Sequence, residues 1–131
     1  MASGARHRVL VVDEFADAAT TLADALTMYG HEGSAVTSRE DLLRAFDRFD
    51  PTVVVIEWTD ASRKDSGMLR GLLEHIADLA VDVRIFVLSA EDPPADFKFS
   101  RHVEAYLSKP MTSERLNQMI VALPIPPARD N

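Results

Sequence analysis

Short apolar runs alternate with longer amphipathic stretches along the chain. Val9-Leu-Val-Val12, Val53-Val-Val-Ile56 and Val83 to Leu88 are uniformly apolar and too short for helices. They read as strands buried on both faces. Glu32 to Val36 and Ala105 to Leu107 are read as two further strands. Between them lie helical periodicities. Ala18, Leu22, Ala25, Leu26 and Tyr29 recur at i, i+4, i+7, i+8 and i+11, with Gly30 placed to stop the helix. Ser38 with Asp41 resembles a capping box ahead of Leu42, Leu43, Phe46 and Phe49, and Asp50-Pro51 ends that helix. Leu69, Leu72, Leu73, Ile76 and Leu79 define a third helix after Gly67, and Leu116, Met119, Ile120 and Leu123 a last one. Thr59 to Ser66 reads as a polar loop. In 91–103, Pro93-Pro94 opposes anything but a helix start, so a short or irregular helix is expected there.

Strands alternating with helices imply βαβ units and a parallel sheet covered on both sides. The predicted class is a doubly wound α/β fold. The expected organisation is an N-terminal extension over 1–8, one domain over 9–123 and a proline-rich tail over 124–131.

Composition narrows the function. The 131 residues suffice for one domain, and 47% hydrophobic content supports a sizeable core. A net charge of -7, from 14 basic and 21 acidic residues, argues against nucleic-acid or anionic-membrane partners. The absence of Cys excludes disulfides and thiolate metal sites. No apolar run approaches the ~20 residues that span a bilayer, so a soluble, cytoplasmic protein is expected. His7, His31, His75 and His102 show no ligand spacing and are assigned core or surface roles.

The chemistry gathers at strand ends. Asp13 and Glu14 follow the first strand, Glu57 ends the third, Ser89 the fourth, and Lys109 follows the fifth. In open α/β sheets, sites form beyond the carboxyl ends of the strands, so these residues can converge. Paired carboxylates suit a hard cation such as Mg2+, and a hydroxyl and an ammonium suit phosphoryl oxygens.

Over roughly residues 8 to 123 the chain resembles the receiver domains of bacterial two-component response regulators. The matching motifs are Val9-Leu-Val-Val-Asp13-Glu14, the strand from Pro51 to Glu57, Leu88-Ser89-Ala90 and Tyr106-Leu-Ser-Lys109-Pro110. The resemblance implies a five-stranded flavodoxin-like sheet of order 2-1-3-4-5. It implies that Asp13 and Glu14 are the acidic pair that holds Mg2+, with Glu14 replacing the more usual second Asp. By the same likeness Ser89 is the hydroxyl that follows a phosphoryl group, Tyr106 the aromatic switch residue, and Lys109 the lysine before a commonly cis proline, Pro110. Glu57 takes the phosphoacceptor position, where the family has Asp.

That substitution bears on activity. Glu carries its carboxylate about 1.5 Å further out, one C–C bond, and misplacing reacting atoms by about 1 Å costs on the order of 100-fold in rate. The added length also works against a Mg2+ site, which demands near-octahedral oxygens at about 2.1 Å. Asp60 and Asp65 fall in the loop, off the acid position. Glu57 to Gly67 is ten steps, longer than the family's usual spacing, and Ser89 to Lys109 is twenty, shorter than usual. The face around the fourth helix, where receivers dimerise or meet outputs, is therefore rebuilt.

The expected function is a non-enzymatic, phosphorylation-independent interaction module. Its partner would be a histidine kinase or a downstream output protein, with homodimerisation left open. Glu57 is expected within salt-bridge reach of Lys109, and Trp58 is read as a partly exposed packing aromatic or a partner contact. A conventional Mg2+-dependent phosphoacceptor is the alternative. A flavin or nucleotide enzyme is a third class, disfavoured because Asp13-Glu-Phe-Ala-Asp17 lacks the glycines that let backbone amides approach a phosphate.

Overall fold

The computed structural model describes residues 6–58, 67–79, 81–92 and 101–126. Their elements in chain order are β1 (Arg8–Val12), α1 (Ala16–Met28), β2 (Glu32–Val36), α2 (Arg39–Phe49), β3 (Val53–Glu57), α3 (Gly67–Leu79), β4 (Arg84–Ser89), β5 (Val103–Ser108) and α4 (Ser113–Val121). The expectations for the 59–66 loop, including Asp60 and Asp65, and for most of 91–103 lie outside the described residues.

The strands form one parallel sheet in the order β2-β1-β3-β4-β5, as the resemblance to receiver domains implied. Uniformly apolar strands are buried on both faces because side chains alternate with period two. Leu10, Val12, Val54, Ile56, Ile85 and Val87 point to one face, where they meet Leu42 and Phe46 of α2 and Leu69, Leu72 and Ile76 of α3. Val9, Val11, Val53, Val55, Phe86 and Leu88 point to the other, against Ala19, Ala23 and Leu26 of α1 and Leu116 and Ile120 of α4. Two cores therefore share one sheet.

Local chemistry sets the helix ends. The Ser38 hydroxyl accepts the Asp41 amide at 3.2 Å, which gives α2 the expected cap. The Thr112 hydroxyl does the same for Arg115 at 3.1 Å in α4, a cap the sequence reading did not pick out. After α1 the chain turns at Gly30 with φ 104°, a left-handed conformation that glycine adopts without a Cβ penalty. The buried face of α1 differs from expectation: Ala19, Ala23 and Leu26 are buried, whereas Ala18 is exposed and Tyr29 is 45% exposed.

The edge strand β2 lies very close to α1. A Cβ built on Gly33 would sit 2.4 Å from the Ala23 carbonyl oxygen and 2.9 Å from the Thr27 hydroxyl. Since a carbonyl of the helix backbone cannot swing aside, Gly33→Ala is expected to destabilise the domain by about 1–3 kcal/mol, as overpacking does. Urea unfolding reads this as a lowered midpoint at constant slope. An unchanged midpoint would contradict the close approach.

Candidate functional site

Backbone ladders carry past the strand ends and set the functional edge. The Trp58 amide donates to the Leu88 carbonyl at 2.7 Å, the Lys109 amide to the Ser89 carbonyl at 2.9 Å, and the Asp13 amide to the Val36 carbonyl at 3.2 Å. These bonds hold Glu57 at the end of β3, Ser89 at the end of β4 and Lys109 just after β5 side by side.

Lys109 meets Glu57 there. Its Nζ forms an ion pair with Glu57 Oε1, as anticipated. The pair is asymmetric, because the Glu57 side chain is 13% exposed and that of Lys109 is 41% exposed. The ammonium therefore supplies charge compensation to a carboxylate that is largely shielded from water. The Lys109–Pro110 peptide bond is cis.

A second group forms around the end of β4. Ser89 is buried, and its hydroxyl accepts the Glu91 amide at 3.2 Å. The Tyr106 hydroxyl donates to the Glu91 carbonyl at 3.0 Å. One peptide segment thus ties down both residues assigned to switching. The Tyr106 ring also meets Trp58 edge to face, with centroids 6.1 Å apart. Trp58 is only 4% exposed, so it is a buried support for Tyr106 rather than the partly exposed aromatic expected from the sequence.

The acidic pair is divided in its surroundings. Asp13 is buried, and its Oδ1 accepts the Phe15 amide at 3.0 Å in the turn that starts α1. Glu14 is exposed. Among the described residues, no three His, Asp or Glu side chains gather as a ligand set for a metal ion. One Asp13 oxygen is engaged by an amide and Glu57 by an ammonium, so a cation at this edge would compete with Lys109 for the Glu57 carboxylate.

Trp58 was singled out beside the site, but its burial was not expected, and the Glu91 backbone was not singled out at all. Glu91 works through its peptide groups, which leave no side-chain signal.

No family model matches the chain. The circadian input-output histidine kinase CikA of Synechococcus elongatus is 27% identical over 108 residues, covering 82% of this chain but only 14% of that kinase. The chain thus spans about a seventh of its curated relative. Among solved structures, the pseudo-receiver domain of CikA superposes with a TM-score of 0.63 and 22% identity, covering 93% of this chain and 99% of that one. A CheY-like receiver domain from Methanospirillum hungatei gives 0.70 and 19%, covering 87% and 90%. One from Methylobacillus flagellatus gives 0.65 and 20%, covering 90% and 98%. The chain therefore has the fold of these receiver domains, with the same sheet order, and its sequence is similar to a stretch of the kinase whose pseudo-receiver domain shares that fold.

Proposed function

We propose that the chain is a non-enzymatic interaction module whose binding surface does not depend on phosphorylation, with Glu57 standing where a phosphoacceptor Asp would be. The observation that carries this is the Lys109–Glu57 ion pair, which supplies from within the chain a charge interaction at the strand edge. The anchoring of Ser89 and Tyr106 on Glu91 supports it, because both side chains already have polar partners in one arrangement.

Magnitudes define what Glu57 does. A phosphoryl group brings about -1.5 to -2 charge and three acceptor oxygens, whereas Glu57 offers one negative charge and two oxygens. Moving a two-state equilibrium from 1:99 to 99:1 requires about 5.5 kcal/mol, and a hydrogen bond to a charged group contributes roughly 1.5–3. Glu57 biases the conformation, and the packing around Trp58 and Tyr106 completes it.

The module corresponds to residues 9–123 and acts in the cytoplasm. Among the described residues, no helix is long and apolar enough to cross a membrane. By likeness to a histidine kinase, the partner is a two-component protein, either a histidine kinase or a downstream output protein.

The test is quantitative capture of partners from the native cell by the full chain, with and without acetyl phosphate and Mg2+. Wild type is expected to recover the same partner in the same amount under both conditions. A change of about tenfold, or 1.4 kcal/mol in binding, that disappears in Glu57→Gln would overturn the proposal.

A further inference from the structure

The opposite edge of the sheet is closed by two imidazoles that the signalling site does not use. His7 lies just before β1 and His31 just before β2, and they are 1% and 2% exposed. Their ring centroids are 6.2 Å apart. The His7 amide donates to His31 Nδ1 at 3.0 Å, so that nitrogen must present its lone pair. The His31 proton is then on Nε2, which donates to Asn117 Oδ1 on α4 at 2.6 Å. His7 Nε2 lies 3.0 Å from the Leu123 carbonyl oxygen, an acceptor only, and therefore carries the proton. His7 Nδ1 is left to accept the Thr52 hydroxyl at 2.7 Å. Both rings are thus fixed in the neutral Nε2–H tautomer, and both reach from the start of the sheet to α4 or the residues that follow it.

An added proton can go only to Nδ1 of either ring. At His7 it would face the Thr52 hydroxyl, which can rotate toward the Arg8 carbonyl at 3.4 Å and accept. At His31 it would face the His7 amide, placing two N–H donors head to head where one bond had been. Protonating both would also put two like charges on neighbouring buried rings.

We propose that His31 and His7 form a proton-operated latch, which holds α4 and the Leu123 junction against the sheet when neutral and releases them on acidification. Among the described residues, the surroundings provide little to offset the new charge. The α4 helix contributes the Asn117 amide and the chain after it the Leu123 carbonyl; the approach to β3 contributes the Thr52 hydroxyl. The end of α1 contributes the Leu26 carbonyl, which the His31 amide already occupies. Of the charged neighbours along the strands, Arg8 and Glu32 pair with each other, and Arg8 also bonds the Phe49 and Asp50 carbonyls. The charge that reaches His7 is that of His31.

The sign of the effect follows from burial. Burial holds His7 below the ordinary His value of 6.5, the Leu123 carbonyl partly opposes this, and the His31 charge reinforces it. The open form therefore takes up the proton first. Latching is fully present above the ordinary value and is lost as pH falls below it, until the latched form also protonates.

Hydrogen exchange of the full chain, corrected for intrinsic rates, tests this. Amides at Leu116 to Ile120 are expected to open up to about tenfold more per pH unit and per proton taken up as pH falls from roughly 6.5 to roughly 5.5, while those at Val54 to Ile56 do not change. Uniform acceleration in both segments, or none in α4, would overturn the latch. The double variant His7→Gln with His31→Gln, which has neither imidazole, is expected to flatten the response, and a response that persists in it would also overturn the latch. If that variant does not fold, nitrogen-15 spectra of the wild-type imidazoles decide. Protonation of His7 Nδ1 in step with α4 opening is the expected result, and protonation without opening contradicts it.

Discussion

Replacing Phe86 with Ala is expected to cost about 3–5 kcal/mol, the range for truncating a buried aromatic. Phe86 is fully buried on β4, with Val55 opposite it on β3 and Ala105 on β5. It belongs to the core shared with Leu116 and Ile120 of α4. Truncation removes the ring from a layer bounded by a five-stranded sheet that cannot collapse inward without breaking ladder bonds. Both the lost transfer energy and the residual cavity therefore count. Against a total stability of about 5–15 kcal/mol for a domain of this kind, a large part of the folded margin would be lost. Urea unfolding measures it as a lower midpoint at unchanged slope. A loss under about 1 kcal/mol would place Phe86 outside the core.

Breaking the Glu57–Lys109 pair from one side is expected to cost more than breaking it from the other. Lys109→Met leaves the Glu57 carboxylate, 13% exposed, without its cation. The cost expected for stranding a charged acceptor that water only partly reaches is about 1–3 kcal/mol. The figure stays below that of a fully buried pair because Lys109 is 41% exposed and its own desolvation is small. Glu57→Gln keeps the shape and an acceptor oxygen, and Lys109 regains water easily, so a loss within about 1 kcal/mol is expected. The double variant should then be less destabilised than the two single losses added together, since removing the carboxylate removes what Lys109→Met had stranded. Equal costs for both single variants, with simple additivity, would mean that the two side chains do not interact.

The fold and the strand-end site were legible in the sequence for the same reason. Runs such as Val53 to Ile56 have no polar face, so they fit only a sheet buried on both sides, and the polar residues that end them must collect at its edge. The Ser38 cap and the Gly30 turn were legible because each is a local matter of a few residues. The face of α1 was not. That helix is rich in Ala and Thr, and an alanine packs against a sheet as readily at 19 and 23 as at 18 and 25, so the pattern did not fix the rotation to within a residue. The burial of Trp58 was missed because a single aromatic after a strand gives no period to read. The His7 and His31 network was beyond reach for a different reason: its partners Leu123 and Asn117 lie 116 and 86 residues away in the chain, and only the completed sheet brings them together.

The central claim is that the Glu57 edge is already committed by Lys109 and does not respond to a phosphoryl group. The most direct measurement is the amide and Tyr106 ring spectrum of the full chain before and after beryllofluoride with Mg2+, a mimic of the phosphorylated aspartyl group. The expected result is an unchanged spectrum for wild type. A stoichiometric shift at Ser89, Tyr106 and Lys109 that disappears in Glu57→Gln would contradict the claim.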